Sequence, residues 1–229
     1  FSHGSYDQFR SIINTVRAIS KEHGREIGIM QDLQGPKIRV GKLPKEGVKI
    51  EHGDEVTLSV LDEAKTIPIQ YKELPRDVKK GDIILISDGL IELSVQSVNA
   101  RKTHIICRTE VGGTIYSYKG INVPTATISA DALATKDKRD VAFGVEVGVD
   151  FVALSFVKDG KDIYELRKLL KSLKSTAQII AKIERHEAIQ NMDAIIRAAD
   201  VVMVARGDLG VEVPAEQVPL HQKKIIHLC

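Results

Sequence analysis

The pattern of apolar and polar positions changes character twice along the 229 residues. Between Ser5 and Lys21, the residues Phe9, Ile12, Ile13, Val16 and Ile19 recur at helical spacing and predict an amphipathic helix. Ser5 and Gln8 form a capping-box pattern at its start, and His23-Gly24 ends it. Glu26 to Asp32 predicts a short strand with an aspartate at its end. From about 41 to 128 there is no long helical period. Short β-type runs at Glu55–Val60, Ile83–Ile86, Ile91–Val95 and His104–Thr109 alternate with the turn signals Gly53-Asp54, Gly81-Asp82, Asp88-Gly89 and Gly112-Gly113. This punctuation predicts a small β-barrel or sandwich, and Asp88-Gly89 is a hairpin signal. From Asp131 the α/β rhythm returns. A helix is predicted from Thr135 to Gly144, a strand at Phe151–Phe156, a helix at Asp159–Lys171 and a strand at 178–184. A helix at 187–198, a strand at Val201–Ala205 and a helix from about Glu216 follow. Repeated βα units argue for a parallel sheet or a barrel, and periodicity does not separate the two.

Two of these strands carry unusual polar residues. Val201–Ala205 is followed by Arg206-Gly207-Asp208-Leu209-Gly210. Ligands collect beyond the carboxyl ends of parallel strands, so Asp208 is either a metal or substrate ligand or the cap of a turn. The strand at 178–184 holds Lys182 in an apolar run and ends at Glu184. Residues two apart on a strand share a face, and a lysine among apolar neighbours is costly without a partner for its charge. The pair is therefore an internal ion pair or a lysine and carboxylate facing a polar pocket. If the two strands are neighbours, Glu184 and Asp208 can converge on one divalent cation. Two carboxylates with waters and substrate oxygens suit magnesium.

Composition narrows the partners. There are 33 basic and 31 acidic residues, for a formal charge of +2. No basic run or aromatic-rich patch points to nucleic acid. The apolar runs are too short to span a bilayer, and no secretory signal is visible. Two cysteines, Cys107 and Cys229, make no disulfide framework, which fits a reducing cytosol. The seven histidines show no zinc-ligand spacing, and His186 reads as a helix-surface residue.

Several stretches together resemble the pyruvate kinase family. They are Phe1-Ser2-His3-Gly4, Asp32-Leu33-Gln34-Gly35-Pro36-Lys37-Ile38-Arg39, Lys119-Gly120-Ile121-Asn122-Val123-Pro124, the run AKIERHEAI from Ala181, and VMVARGDLGVEVP from Val202. The resemblance covers essentially the whole chain, in order. It implies an α/β fold, a partial (β/α)8 TIM barrel with an inserted small all-β barrel domain. Residues 1–40 would be the first part of the barrel domain, 41–128 the inserted lid domain, and 129–229 the second, incomplete part of the barrel. A barrel of this kind needs eight strands, so the chain is expected to be a fragment, inactive alone.

The implied reaction moves the phosphoryl group of phosphoenolpyruvate to ADP, giving pyruvate and ATP in glycolysis. By the same resemblance Lys182 would be catalytic and would contact substrate, with Gly207 and Asp208 receiving the substrate carboxylate. Glu184 and Asp208 would hold magnesium, or manganese in its place. Phe1, Ser2, His3, Arg39 and Lys119 match nucleotide contacts. Ser2, Asp32 and Leu33 fall at potassium-site positions. Many family members have Thr after the aspartate and Glu after Gly-Pro, where this chain has Leu33 and Lys37. A lysine ammonium can supply the charge of a monovalent ion and repels one placed nearby, so potassium is not expected to be required. Asp88 is a hairpin residue or a lid contact. The full-length protein is expected to be a cytoplasmic homotetramer without nucleic-acid or membrane partners. The rival readings are another magnesium-dependent barrel that handles phosphoenolpyruvate or pyruvate, and a truncated assembly module.

Overall fold

The structure, a computed structural model, describes Phe1 and residues 4–229. Helix α1 (Tyr6–Glu22) starts with the expected capping box: Gln8 N–H donates to Ser5 Oγ at 3.3 Å and Ser5 N–H donates to Gln8 Oε1 at 2.9 Å. Of its apolar stripe only Ile13 is buried, while Ile12 and Ile19 are 58% and 47% exposed. Helical spacing forecasts the helix but not which side meets a neighbour. Strand β1 is Met30–Asp32, shorter than the predicted 26–32. The residues before it are held otherwise: Arg17 donates to Ile27 O, and Ile29 N–H donates to the Asp150 carboxylate at 2.6 Å.

The β-rich segment follows with β2 (Val48–Ile50), β3 (Glu55–Ser59), β4 (Ile67–Pro68), α2 (Leu74–Asp77), β5 (Ile83–Ile86), β6 (Ile91–Val98), β7 (His104–Val111), β8 (Gly113–Ile115) and β9 (Ile121–Asn122). The α/β rhythm then returns with α3 (Thr135–Glu146), β10 (Phe151–Leu154), α4 (Gly160–Ser172) and β11 (Gln178–Ile183). The expected helix at 187–198 is two, α5 (His186–Gln190) and α6 (Met192–Ala198), separated by Asn191 at φ −103° and ψ 19°. After β12 (Val201–Val204), α7 (Arg206–Glu212) forms where no helix is predicted. It is anchored by the fully buried Leu209 and stopped before Pro214, which cannot continue it. A 3-10 turn (Ala215–Gln217) leads to α8 (Val218–Leu228), so the helix predicted from Glu216 begins two residues later. No described helix is long and apolar enough to cross a membrane.

The chain divides into two compact units. One comprises Phe1–Pro36, Asp131–Ala205 and Pro219–Cys229; the other comprises Lys37–Ala130 and Arg206–Val218. In the first unit, four described strands form a parallel sheet in the order β1-β10-β11-β12. Val152, Ala153, Leu154, Ile179 and Ala181 are buried in it, and Ile163, Leu166 and Ile195 of α4 and α6 are fully buried as well. Strands apolar on both faces are what helices on a parallel sheet require.

In the second unit the strand order is β4-β3-β7-β6-β5-β9, with β2 and β8 paired separately. Residues 38–41 link the two edges of the larger sheet. On one side Val40 N–H donates to Lys119 O and Ile121 N–H to Ile38 O, both at 2.9 Å. On the other Gln70 N–H donates to Arg39 O at 2.9 Å and Gly41 N–H to Pro68 O at 2.7 Å. Inside lie Ile38, Val40, Leu58, Ile84, Ile86, Leu93 and Ile105. The units carry 206–218 with the β-rich residues, whereas the sequence reading places them with the second barrel segment.

One packing contact tests the first unit. Gln31 is fully buried on β1, its Nε2 donates to Asp140 O at 2.6 Å, and its Oε1 has no hydrogen-bond partner. A Cβ added at Gly144 of α3 would lie 2.7 Å from Gln31 Cδ. On an open helix Gly→Ala stabilises by about 1 kcal/mol. Here Gly144→Ala is expected to destabilise the full-length protein by about 2 kcal/mol through overpacking. Urea unfolding checks the sign, and an unchanged or raised midpoint would contradict this packing.

Candidate active site

The parallel register brings the carboxyl ends of neighbouring strands side by side. Asp32 pairs with Ala153, Leu154 with Ala181, and Lys182 with Met203. Asp32 ends β1, Ser155 follows β10, Lys182 is next to last in β11, and Glu184 follows it. The Lys182 ammonium meets all three neighbours: Glu184 Oε1 at 2.9 Å, Ser155 Oγ at 3.0 Å and Asp32 Oδ1 at 3.1 Å. An ammonium has three protons and no acceptor, so one donor faces each of the three residues, with Asp32 Oδ2 a second, longer contact of the same carboxylate at 3.3 Å. The Lys182 side chain is 12% exposed, Glu184 2% and Asp32 50%. Burial pulls the Lys182 pKa down, but Glu184, and after it Asp32, outweigh burial and hold it above the ordinary lysine value.

Backbone groups hold the partners in place. Phe156 N–H donates to Glu184 Oε2 at 2.8 Å. Phe156 has φ +56°, a left-handed conformation costly for a bulky residue and often kept at functional sites. Gly35, at φ +62°, lets its turn pack against it; a Cβ there would lie 2.9 Å from Phe156 Cδ2. The Leu33 side chain is buried, and its carbonyl accepts the Ser155 hydroxyl at 2.8 Å. Beyond Glu184, Arg185 makes a two-pronged pair with Glu187, Nε to Oε2 at 2.9 Å and Nη2 to Oε1 at 2.8 Å. Both side chains are 8% exposed. His186, expected on a helix surface, opens α5 part-buried, with its Nδ1 3.2 Å from Glu187 Oε2.

The remaining expected residues fall as follows. Ser2 and His3 lie outside the described residues. Phe1 packs its ring 4.1 Å from that of Phe9. Gly207 and Asp208 lie in the first turn of α7, where backbone N–H groups lack helical partners. Within the same unit Asn122 donates to Glu212 Oε1 at 2.9 Å and fastens that helix. Arg39 and Lys119 are brought onto adjacent segments, because Arg39 bridges Gly120 and donates to Tyr118 O at 3.0 Å. Lys37 Cε and Asp88 Oδ1 flank Gly120, 3.4 and 3.9 Å from where a Cβ there would lie. Asp88 sits at φ +57° in the loop between β5 and β6, as a hairpin residue would. Ser155 and Phe156 are absent from the sequence-based site. A polar residue at the end of an apolar strand was the available signal for Ser155, the same one that marks Asp208.

A parallel sheet with lysine and carboxylates gathered at its carboxyl ends defines the class of α/β protein whose chemistry sits on strand tips. The model of one family, described as pyruvate kinase, barrel domain, matches residues 1–229. Pyruvate kinase 2 of Synechocystis is 46% identical over 231 residues, covering 99% of this chain and 39% of the relative. The pyruvate kinase of Clostridium perfringens is 42% identical over 234 residues, covering 100% and 49%. That of Thermococcus litoralis is 41% identical over 229 residues, covering 99% and 48%. The chain belongs to the pyruvate kinase family, and it spans less than half the length of these curated relatives.

The Arg185–Glu187 pair tests how firmly the turn after Glu184 is built. Removing one partner of a buried ion pair typically costs about 3–5 kcal/mol, because the other charge is left stranded. Arg185→Met in the full-length protein is expected to lose stability on that scale, and adding Glu187→Leu to recover much of it. Denaturant unfolding of the single and double variants measures both. A loss in the double variant equal to the sum of the losses of Arg185→Met alone and Glu187→Leu alone would mean that the charges are not coupled.

Proposed function

We propose that this chain carries the catalytic strand tips of a pyruvate kinase, in which phosphoenolpyruvate gives its phosphoryl group to ADP and the enolate is then protonated to pyruvate. The observation that carries the reading is the Lys182 ammonium, charged and held among Glu184, Ser155 and Asp32 at the ends of adjacent strands, in a chain of this family. Phosphoryl transfer asks little covalent chemistry of a protein; it asks for positioning and for positive charge around the oxygens. Lys182 suits that need. Its charge is fixed by carboxylates, and it can exchange one of them for an oxygen of the transferring group or of the enolate. Gly207 and Asp208 present backbone N–H groups of a helix start, which suit the substrate carboxylate.

Glu184 and Asp208 are the residues proposed to hold magnesium, or manganese. Glu184 fits the role, being an almost fully buried carboxylate steered by Lys182 and a backbone N–H. When bound, the ion would supply positive charge that stabilises the charge developing on the transferring phosphoryl group. The β-rich unit is proposed to be the family's inserted small barrel, with Arg39 and Lys119 meeting the nucleotide phosphates. Phe1, Ser2 and His3 are proposed to complete the nucleotide site. Lys37, with Leu33 and Gln34, is proposed to free the enzyme from potassium, leaving the positions of Ser2, Asp32 and Leu33 without an ion to bind. The full-length protein is proposed to work as a cytoplasmic homotetramer in glycolysis.

Pyruvate release from phosphoenolpyruvate and ADP, with magnesium and no potassium, tests this in the protein from the complete reading frame. Turnover is expected, and Lys182→Met is expected to reduce kcat by at least about 10³-fold with the fold retained. Near-normal activity of Lys182→Met would remove the lysine from the reaction. Activity that appears only with potassium would overturn the proposal for Lys37. Silence with and without potassium would overturn the reaction itself.

A further inference from the structure

The Ser155 hydroxyl sits at the meeting point of the strand tips, 3% exposed. It has one proton to give and lone pairs to receive. Its neighbours decide how both are used. Leu33 O, at 2.8 Å, can only accept, and so can Asp32 Oδ1, at 3.4 Å. Lys182 Nζ, at 3.0 Å, can only donate. The proton therefore goes to the nearer carbonyl and the lone pairs face the ammonium. Ser155 is then the uncharged member of the three acceptors around Lys182, and its direction is locked by a backbone group on β1's extension.

We infer that Ser155 is a positioning residue for Lys182, a neutral tether that keeps the ammonium at the strand tips while its contacts to carboxylates exchange for substrate oxygens. The catalytic consequence rests on the reaction proposed above; the tether itself does not. With carboxylates alone the ammonium would be drawn wholly toward their charge. A hydroxyl holds it without competing strongly, because a neutral acceptor binds an ammonium less tightly than a carboxylate does.

The test uses Ser155→Ala and Ser155→Cys in the full-length protein. Losing the tether is expected to lower kcat about 10–100-fold, the scale of a reacting group displaced by about 1 Å, while KM for phosphoenolpyruvate and for ADP stays within threefold. Cysteine keeps the volume with a weaker acceptor and is expected to fall between alanine and wild type; it replaces alanine if that variant does not fold. Independently of activity, nitrogen-15 NMR at fixed pH is expected to show faster solvent exchange of the Lys182 ammonium protons in Ser155→Ala, because one of the three residues that accept from it is gone. A kcat within twofold of wild type, a loss confined to KM, or unchanged exchange of the ammonium protons would overturn the inference. If wild type itself turns over no phosphoenolpyruvate, the reaction is wrong, and the exchange of the ammonium protons alone decides whether Ser155 tethers Lys182.

Discussion

Everything in the site depends on keeping a positive charge at the end of a buried parallel strand. Desolvation opposes that charge. Lys182 keeps it because each of its protons has an acceptor within 3.1 Å, and two of those acceptors are carboxylates. The acceptors come from β1, from the residue after β10 and from the residue after β11. No single βα unit can assemble them. The ion cluster is thus a product of the parallel register, which sets the three strand ends side by side. In turn it gives the first unit a polar cap on an otherwise apolar sheet.

The partners are themselves constrained by backbone. Phe156 accepts an unfavourable left-handed conformation and points its N–H at Glu184, and the Leu33 carbonyl directs the Ser155 hydroxyl. Main-chain groups are poor at wandering. A site oriented by them stays preorganised, and that is what stabilisation of developing charge requires. Gly35 belongs to the same logic, since its positive φ and missing side chain let the turn after β1 press against Phe156.

Much of this was legible in the sequence. A lysine two residues before a glutamate in an apolar strand forecasts a shared face, and the structure places them 2.9 Å apart. Alternating apolar runs with Gly-Asp punctuation forecast the short antiparallel strands, and the βα rhythm forecasts the parallel ones. What escaped was non-local. Asp32 was legible as a strand-end aspartate but not as a partner of Lys182, 150 positions later. Ser155 reads as an ordinary end to an apolar run until Leu33 and Lys182 are seen around it. The buried Leu209 and the break at Pro214 explain why α7 forms at 206–212, where no helix was predicted. The apolar face of α1 shows the converse, with a strong helical period and only Ile13 buried.

The central claim is that carboxylates, not solvent, keep Lys182 charged. The most direct measurement is a nitrogen-15 NMR titration of its ammonium in the full-length protein, compared with Glu184→Gln. The account predicts a midpoint above the ordinary lysine value of 10.5 in wild type, lowered in the variant because burial then acts with less opposition. A midpoint at or below 10.5 in wild type, unchanged by Glu184→Gln, would contradict it.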